Sequence, residues 1–367
     1  MTDSADATAG TALDEYPEWA EAIAAIVASG GTTMVVGGVD VGKSTFTRLL
    51  VNMAVDSGRR SAVLDADPGQ SEIGPPACAG LAMASGQIHS LTELAPVALA
   101  FLGGISPAAL IPEHITCVRR LADQAGDCFL VVDTSGYIHG PGARRLLQCE
   151  MEILLPRHVV ALQRGAELET ILSPARRRIG CTIHTPPIPA CISVKTASFR
   201  AQRRAMRFAA YFRDSEIAHY SLSDVAFSGT WLGSGTPVAA HILRFLNETL
   251  GPVTRVYYAE QSGSHLGLMV NRLLSEGPEM GMALAQLKAK EVSVTLAPRL
   301  KHLLVGMEAT NGKLLGLGLI ESLDFRRGTI GLLTPVRSPE AACILRLGTQ
   351  KIAPDGRDAG QLKAGEL

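Results

Sequence analysis

The 367-residue chain is marked first by what it lacks. No apolar run reaches the ~18 residues that a membrane-spanning helix needs, so no membrane partner is expected. There is no excess of positive charge: 34 Lys and Arg stand against 35 Asp and Glu. That balance excludes a globally basic nucleic-acid coat and leaves any nucleic-acid contact to a local patch. The seven cysteines contain no Cys-x-x-Cys pair and no Cys/His spacing suited to zinc. Their odd count and wide scatter predict reduced thiols and a cytoplasmic location. Residues 1–14 are acidic and rich in small side chains, without the basic and apolar stretches of a signal peptide. They read as a short disordered tail. Internal repeats and long low-complexity segments are absent too.

What is present fits a well-packed globule. Apolar residues make up 47% and charged residues 19%, and the length suits two domains. Residues 16–29 carry Trp19, Ile23, Ile26 and Val27 at helical spacing before Gly30-Gly31. Short apolar runs at 32–36, 61–64, 97–102, 128–132 and 158–162 predict strands. Helical periodicity falls between them at 43–56, 107–125 and 143–154. Alternation of this kind predicts an α/β fold, a P-loop NTPase parallel sheet with helices on both faces. After residue 212 the pattern changes to short strands and glycine turns. Runs at 295–305, 314–323 and 329–333 predict a smaller β-rich C-terminal domain. The expected division is 1–31 as tail and helix, 32–215 as the nucleotide domain with its lid, and 216–367 as the β-rich domain.

The strongest motif is Gly37-Gly38-Val39-Asp40-Val41-Gly42-Lys43-Ser44, followed by Thr45. It satisfies G-x-x-x-x-G-K-[ST] in full, between a predicted strand and a predicted helix. Glycines let successive N–H groups turn toward phosphate oxygens, and the helix beginning at Lys43 adds its positive end. Lys43 is placed to bridge the β- and γ-phosphates of ATP and Ser44 to ligate Mg²⁺.

Two further strands end in acids. Leu64-Asp65-Ala66-Asp67-Pro68-Gly69-Gln70 follows the second strand, at the edge where open α/β sheets bind ligands. Asp65 and Asp67 alternate and so point the same way. One is a candidate for the metal and the other for the proton of an attacking hydroxyl; turn capping is the alternative for Asp65. Val131-Val132-Asp133-Thr134-Ser135-Gly136-Tyr137 has the Walker-B-like form, so Asp133 competes with Asp65 for the metal. Tyr137 is placed either to stack on a base or to cover the sheet edge.

Residues 195–211 form a basic helix. Arg200, Arg203, Arg204 and Arg207 recur at spacings of three and four, and no acid lies between Glu169 and Asp214. Downstream of a phosphate loop, such a face is expected to act as an arginine lid over phosphate.

Together these stretches, with Pro75-Pro76, Gly103-Gly104-Ile105-Ser106-Pro107 and Gly140, resemble the polynucleotide 5′-hydroxyl kinases of the Clp/Grc type. The resemblance covers residues 32–212 and, more weakly, the remainder. It implies transfer of the ATP γ-phosphate to a 5′-hydroxyl end of a nucleic acid, RNA rather than DNA. It implies Asp67 as general base, Lys195, Arg200 and Arg204 as the lid beside the catalytic Lys43, and Thr134 and Tyr137 as a clasp on the RNA end. Ser106 stands at a substrate-contact position, and Gln70 is counted with the substrate residues. The chain departs from the family pattern in carrying Tyr137 where tryptophan is usual and Lys195 where arginine is usual. A regulatory P-loop NTPase, or a nucleotide-holding adaptor without transfer, is the alternative reading.

Overall fold

A computed structural model of the chain describes residues 15–272, 274, 277–363 and 365–367. The tail expected over 1–14 lies outside the described residues. Two compact units are present: Met1–Leu102 with Ser106–Arg200, and Gly103–Ile105 with Ala201–Leu367.

The first unit is built on a seven-stranded sheet. In chain order its elements are α1 (Pro17–Ser29), β1 (Thr33–Gly37), α2 (Lys43–Asp56), β2 (Ser61–Asp65), β3 (Cys78–Ala84), β4 (Pro96–Phe101), α3 (Ile111–Ala125), β5 (Phe129–Asp133), α4 (Gly140–Leu154), β6 (His158–Leu162), the single turn α5 (Glu169–Leu172) and β7 (Thr182–His184). The strand order is β4-β3-β2-β5-β1-β6-β7. Strands β2, β5, β1, β6 and β7 run parallel, whereas β3 is antiparallel to both its neighbours. The sheet is therefore mostly parallel with helices on both faces, as expected, and β3 makes it mixed.

Alternation along the buried strands explains why helices lie on both faces. Met34, Val36, Leu64, Val132 and Val159 face α3 and α4, through Val118, Leu121, Leu147 and Met151. Val35, Val63, Val131 and Val160 face the other way, toward Trp19 and Ile23 of α1 and Phe46, Leu49 and Leu50 of α2. Each of the large α2 side chains contributes about 1.5–3 kcal/mol by leaving water, which fixes the helix that begins at the phosphate loop.

Strand β3 was not expected. Its sequence, Cys-Ala-Gly-Leu-Ala-Met-Ala, has no β-branched residue and little strand propensity. Burial on the sheet overrides that weakness. At Gly80 a β-carbon would lie 2.1 Å from the Ile73 carbonyl oxygen, so the loop before β3 packs directly on the strand backbone. The helix expected over 107–125 opens as a separate 3₁₀ turn, Pro107–Ala109, and α3 follows it.

Helix α6 (Ala197–Tyr211) carries the chain from the first unit into the second; the division falls between Arg200 and Ala201. In the second unit β8 (Glu216–Ser221) and β9 (Ala226–Ser228) precede β10 (Thr236–Pro237), α7 (Ala240–Thr249), β11 (Val256–Ser262), β12 (His265–Val270), α8 (Pro278–Gln286) and β13 (Glu291–Leu296). Then come β14 (Leu303–Glu308), β15 (Leu314–Asp324), β16 (Thr329–Thr334), β17 (Ile344–Ile352) and β18 (Asp358–Gln361). One sheet has the order β10-β11-β12-β13 and carries α7 and α8 through Leu246, Met280 and Ala283. The other has the order β18-β17-β14-β15-β16-β8, with β9 beside β17. The run expected to be one strand over 295–305 is split into β13 and β14. Pro298 stands in the 3₁₀ turn Ala297–Leu300 between them, and proline cannot continue a ladder.

Candidate active site

Three neighbouring strands, β2, β5 and β1, deliver the chemistry at their C-terminal ends. Strand β1 ends in Gly37 and runs into the phosphate loop. Gly42 closes the loop in the left-handed region, φ 92°, as the N-cap of α2, a conformation glycine adopts without penalty. A side chain there would also strike Trp19 and Ile192, so the loop rests on an apolar floor. Lys43 is buried at the start of α2, and its Nζ donates to the Gly38 carbonyl at 2.7 Å. Val41 is buried beneath the loop, Val39 is half exposed, and Ser44 and Thr45 lie in the first helical turn.

Asp65 and Asp133 occupy matched register on adjacent parallel strands. Both are buried, but their surroundings differ. Asp65 accepts backbone N–H groups from Asp67 (3.0 Å), Glu72 and Ile73 (3.0 Å), using both oxygens. It shapes the loop that follows. Asp133 lies close enough to Ser44 and Lys43 for both to hold its carboxyl down against burial, while its Oδ1 is buried with no hydrogen-bond partner among the described residues. Burial, and then the neighbouring Asp133 charge, push Asp65 up to about 8 against the amides that lower it. Burial pushes Asp133 up to about 7, opposed by Lys43 and Ser44 and reinforced by Asp67 and Glu72. Of the three metal candidates, Ser44 and Asp133 are brought together, whereas Asp65 is occupied with the backbone.

Asp67 is half-buried at the front of this loop. Its Oδ1 accepts the amides of Gly69 and Gln70 at 2.9 and 3.1 Å, a turn that fixes the side chain. Gln70 donates from Nε2 to the carbonyl of Gly69 and, at 3.4 Å, to that of Arg200. It joins the acidic loop to the start of α6.

The lid has a partner that its local sequence conceals. Arg200 Nη1 contacts Asp40 Oδ2 at 2.8 Å and the Lys195 carbonyl at 2.7 Å. The Lys195 amide donates to the same Asp40 oxygen at 3.0 Å. Thr196 caps the helix by accepting the Phe199 amide. Thus Arg200, from a stretch that lacked nearby acids in sequence, is matched by an acid of the phosphate loop. Arg204 lies past the division, in the second unit.

The expected substrate residues differ in their surroundings. The Thr134 hydroxyl is fully buried and donates to the Val35 carbonyl at 2.8 Å, so it ties β5 to β1. Tyr137 is half-buried, with its hydroxyl close against Gly142 in the first turn of α4. Ser106 is exposed and caps a 3₁₀ turn through the Ala108 amide. The hydroxyl of Ser135 is buried with no hydrogen-bond partner among the described residues. Asp40 as lid partner, and Arg164, whose Nη2 reaches the Asp40 carbonyl at 3.3 Å, were not foreseen. An acid inside an anion cradle was the signal available.

Comparison with known proteins places the chain among its relatives. Residues 37–214 match the family described as mRNA cleavage and polyadenylation factor CLP1 P-loop. A polyribonucleotide 5′-hydroxyl-kinase of Thermococcus kodakarensis is 29% identical over 340 residues, 92% of each chain. One of Pyrococcus furiosus is 30% identical over 335 residues, 90% of each chain. The chain belongs to the polynucleotide 5′-hydroxyl-kinase family. The fold of this kinase is also similar to Clp1p in a solved Clp1p–Pcf11p complex, with a TM-score of 0.57 and 15% identity over 90% of this chain and 79% of that one. The likeness to these kinases runs through the second unit as well as the first.

Proposed function

We propose that the chain is an ATP-dependent kinase that transfers the γ-phosphoryl group to the 5′-hydroxyl of a polynucleotide, RNA rather than DNA. The observation that carries this reading is the convergence of Lys43, the Ser44–Asp133 pair and Asp67 at the ends of three adjacent strands, with Arg200 docked on the same loop.

The roles follow from the chemistry of the groups. Backbone amides of residues 38–43 and the N-terminus of α2 bind the phosphates. Lys43 neutralises charge on the β- and γ-oxygens. Asp67 accepts the hydroxyl proton as the substrate oxygen attacks phosphorus, and the bond to the bridging oxygen breaks to release ADP. The donor set also fits Mg²⁺. A hydroxyl beside a buried carboxylate with an unpartnered oxygen supplies two hard ligands, and Mg²⁺ ordinarily takes one or two from protein and the rest from phosphate and water. Ser44 and Asp133 would hold it, and when bound it withdraws charge from the transferring phosphoryl group. Arg200 supports the same charge from above, and Tyr137 lines the approach of the RNA end.

The test is labelled ATP with 5′-hydroxyl RNA, 5′-hydroxyl DNA and no acceptor. Transfer to the RNA 5′ end supports the reading. Phosphate release that ignores the acceptor overturns it in favour of a regulatory NTPase, and neither reaction overturns it in favour of an adaptor.

A further inference from the structure

An aspartate in a phosphate-binding loop opposes the charge of its own ligand. Asp40 stands midway through the loop, its side chain only 9% exposed. Its backbone adopts φ 55°, a region that Gly, Asn and Asp enter most readily and other residues rarely. Of those three only aspartate adds a charge. That charge faces two donors from one segment: the Lys195 amide and the Arg200 guanidinium, both on Oδ2.

We propose that Asp40 is the positioning residue of the lid, anchoring the first turn of α6 to the phosphate loop so that Arg200 is in place before the phosphoryl group moves. The inference rests on the kinase reading above. Among the described residues Arg200 meets Asp40 and the Lys195 carbonyl through Nη1, and a guanidinium carries five N–H groups in a rigid fork. The remaining donors serve the phosphate while the anchor holds. The guanidinium also cancels the carboxylate, so the loop keeps its affinity for anions. Gln70, bonded to the Arg200 carbonyl, ties the same turn to the loop that carries Asp67. One short segment is thereby tethered to both the phosphate cradle and the base. Arg164 steadies the anchor by donating to the Asp40 carbonyl.

Two substitutions separate this role from a merely structural one. Asp40→Gly removes the carboxylate yet accepts φ 55° without strain. Asp40→Asn keeps an acceptor for the Lys195 amide but loses the charge. In the full-length protein Asp40→Gly should lower kcat by about 10–100-fold, the scale of misplacing a catalytic group. The dissociation constant for ATP, measured by calorimetry, should stay within a few-fold of wild type. Asp40→Asn should fall between the two. Combining Asp40→Gly with Arg200→Ala should cost no more than Arg200→Ala alone. In protein without nucleotide, amides 195–200 should exchange with solvent faster in Asp40→Gly. A wild-type kcat in Asp40→Gly, additive losses in the double variant, or unchanged exchange over 195–200 would each overturn the proposal. If the wild-type chain transfers no phosphate, the kinase reading fails by itself, and the exchange comparison still decides whether Asp40 anchors the lid.

Discussion

Asp65 and Asp133 lie side by side in register on neighbouring parallel strands, yet one organises backbone and the other faces the phosphate loop. Substitution should therefore give different failures. Asp133→Asn should raise the Mg²⁺ concentration that transfer needs and lower kcat by about 10²–10³-fold, the cost of losing one group aimed at developing charge, with thermal stability largely kept. Asp65→Ala strands three amides and should cost roughly 1–3 kcal/mol per unsatisfied buried group. Magnesium titrations of kcat, set beside thermal melts, check both. If Asp65→Ala melts like wild type and loses only its Mg²⁺ response, the assignments are reversed.

Asp67→Asn isolates the proton-accepting role. Asparagine keeps the side-chain carbonyl that the Gly69 and Gln70 amides need, so the turn should survive. Binding of ATP should remain and transfer to a 5′-hydroxyl oligonucleotide should disappear. A normal transfer rate in this variant would remove Asp67 from the mechanism.

Gly80→Ala tests how tightly the acidic loop is packed on its strand. The added carbon meets the Ile73 carbonyl rather than a side chain that can rotate away. Overpacking against backbone should cost about 1–3 kcal/mol. It should also depress kcat more than ATP affinity, because Ile73 and Asp67 share the Asp65 clamp. Unfolding midpoints and a kcat-against-KM comparison read both effects.

A pH effect on stability should arise away from the site. His158 Nδ1 lies 3.0 Å from His184 Nε2. Burial holds both below the ordinary 6.5, and for His158 the neighbouring imidazole adds to the effect. A depressed folded value means that the unfolded chain takes up protons first. The contribution is then complete above pH 6.5 and is lost as pH falls through the folded values. Melting temperatures should decline below pH 6.5, and His184→Gln should flatten that decline. An unchanged acid slope in the variant would show that other groups cause it.

Much of this arrangement is legible in the sequence, for physical reasons. Helix α2 and strand β6 have the expected limits because strong apolar periodicity meets clear terminators. The phosphate loop and the acids at the ends of β2 and β5 are readable because phosphate chemistry restricts which residues can serve. Strand β3 escapes because alanine and glycine carry no strand signal, and its register depends on neighbours far away in the chain. The Asp40–Arg200 pair escapes because 160 positions separate the partners, and charge patterning reports only local neighbours. Thr134 looks like a crevice hydroxyl in sequence, but the adjoining carbonyl of Val35 turns it inward.

The return strand β3 has a consequence for how a nucleic-acid end is received. In a purely parallel sheet the segment after β2 would leave through a crossover helix, with slack to follow an incoming ligand. Here it is stitched back into the same sheet within a dozen residues and cinched at its middle by the buried carboxylate of Asp65. Such a segment cannot wrap its guest. On the proposed reading, the terminal nucleotide would have to thread itself to Asp67, whose bearing was settled when the chain folded.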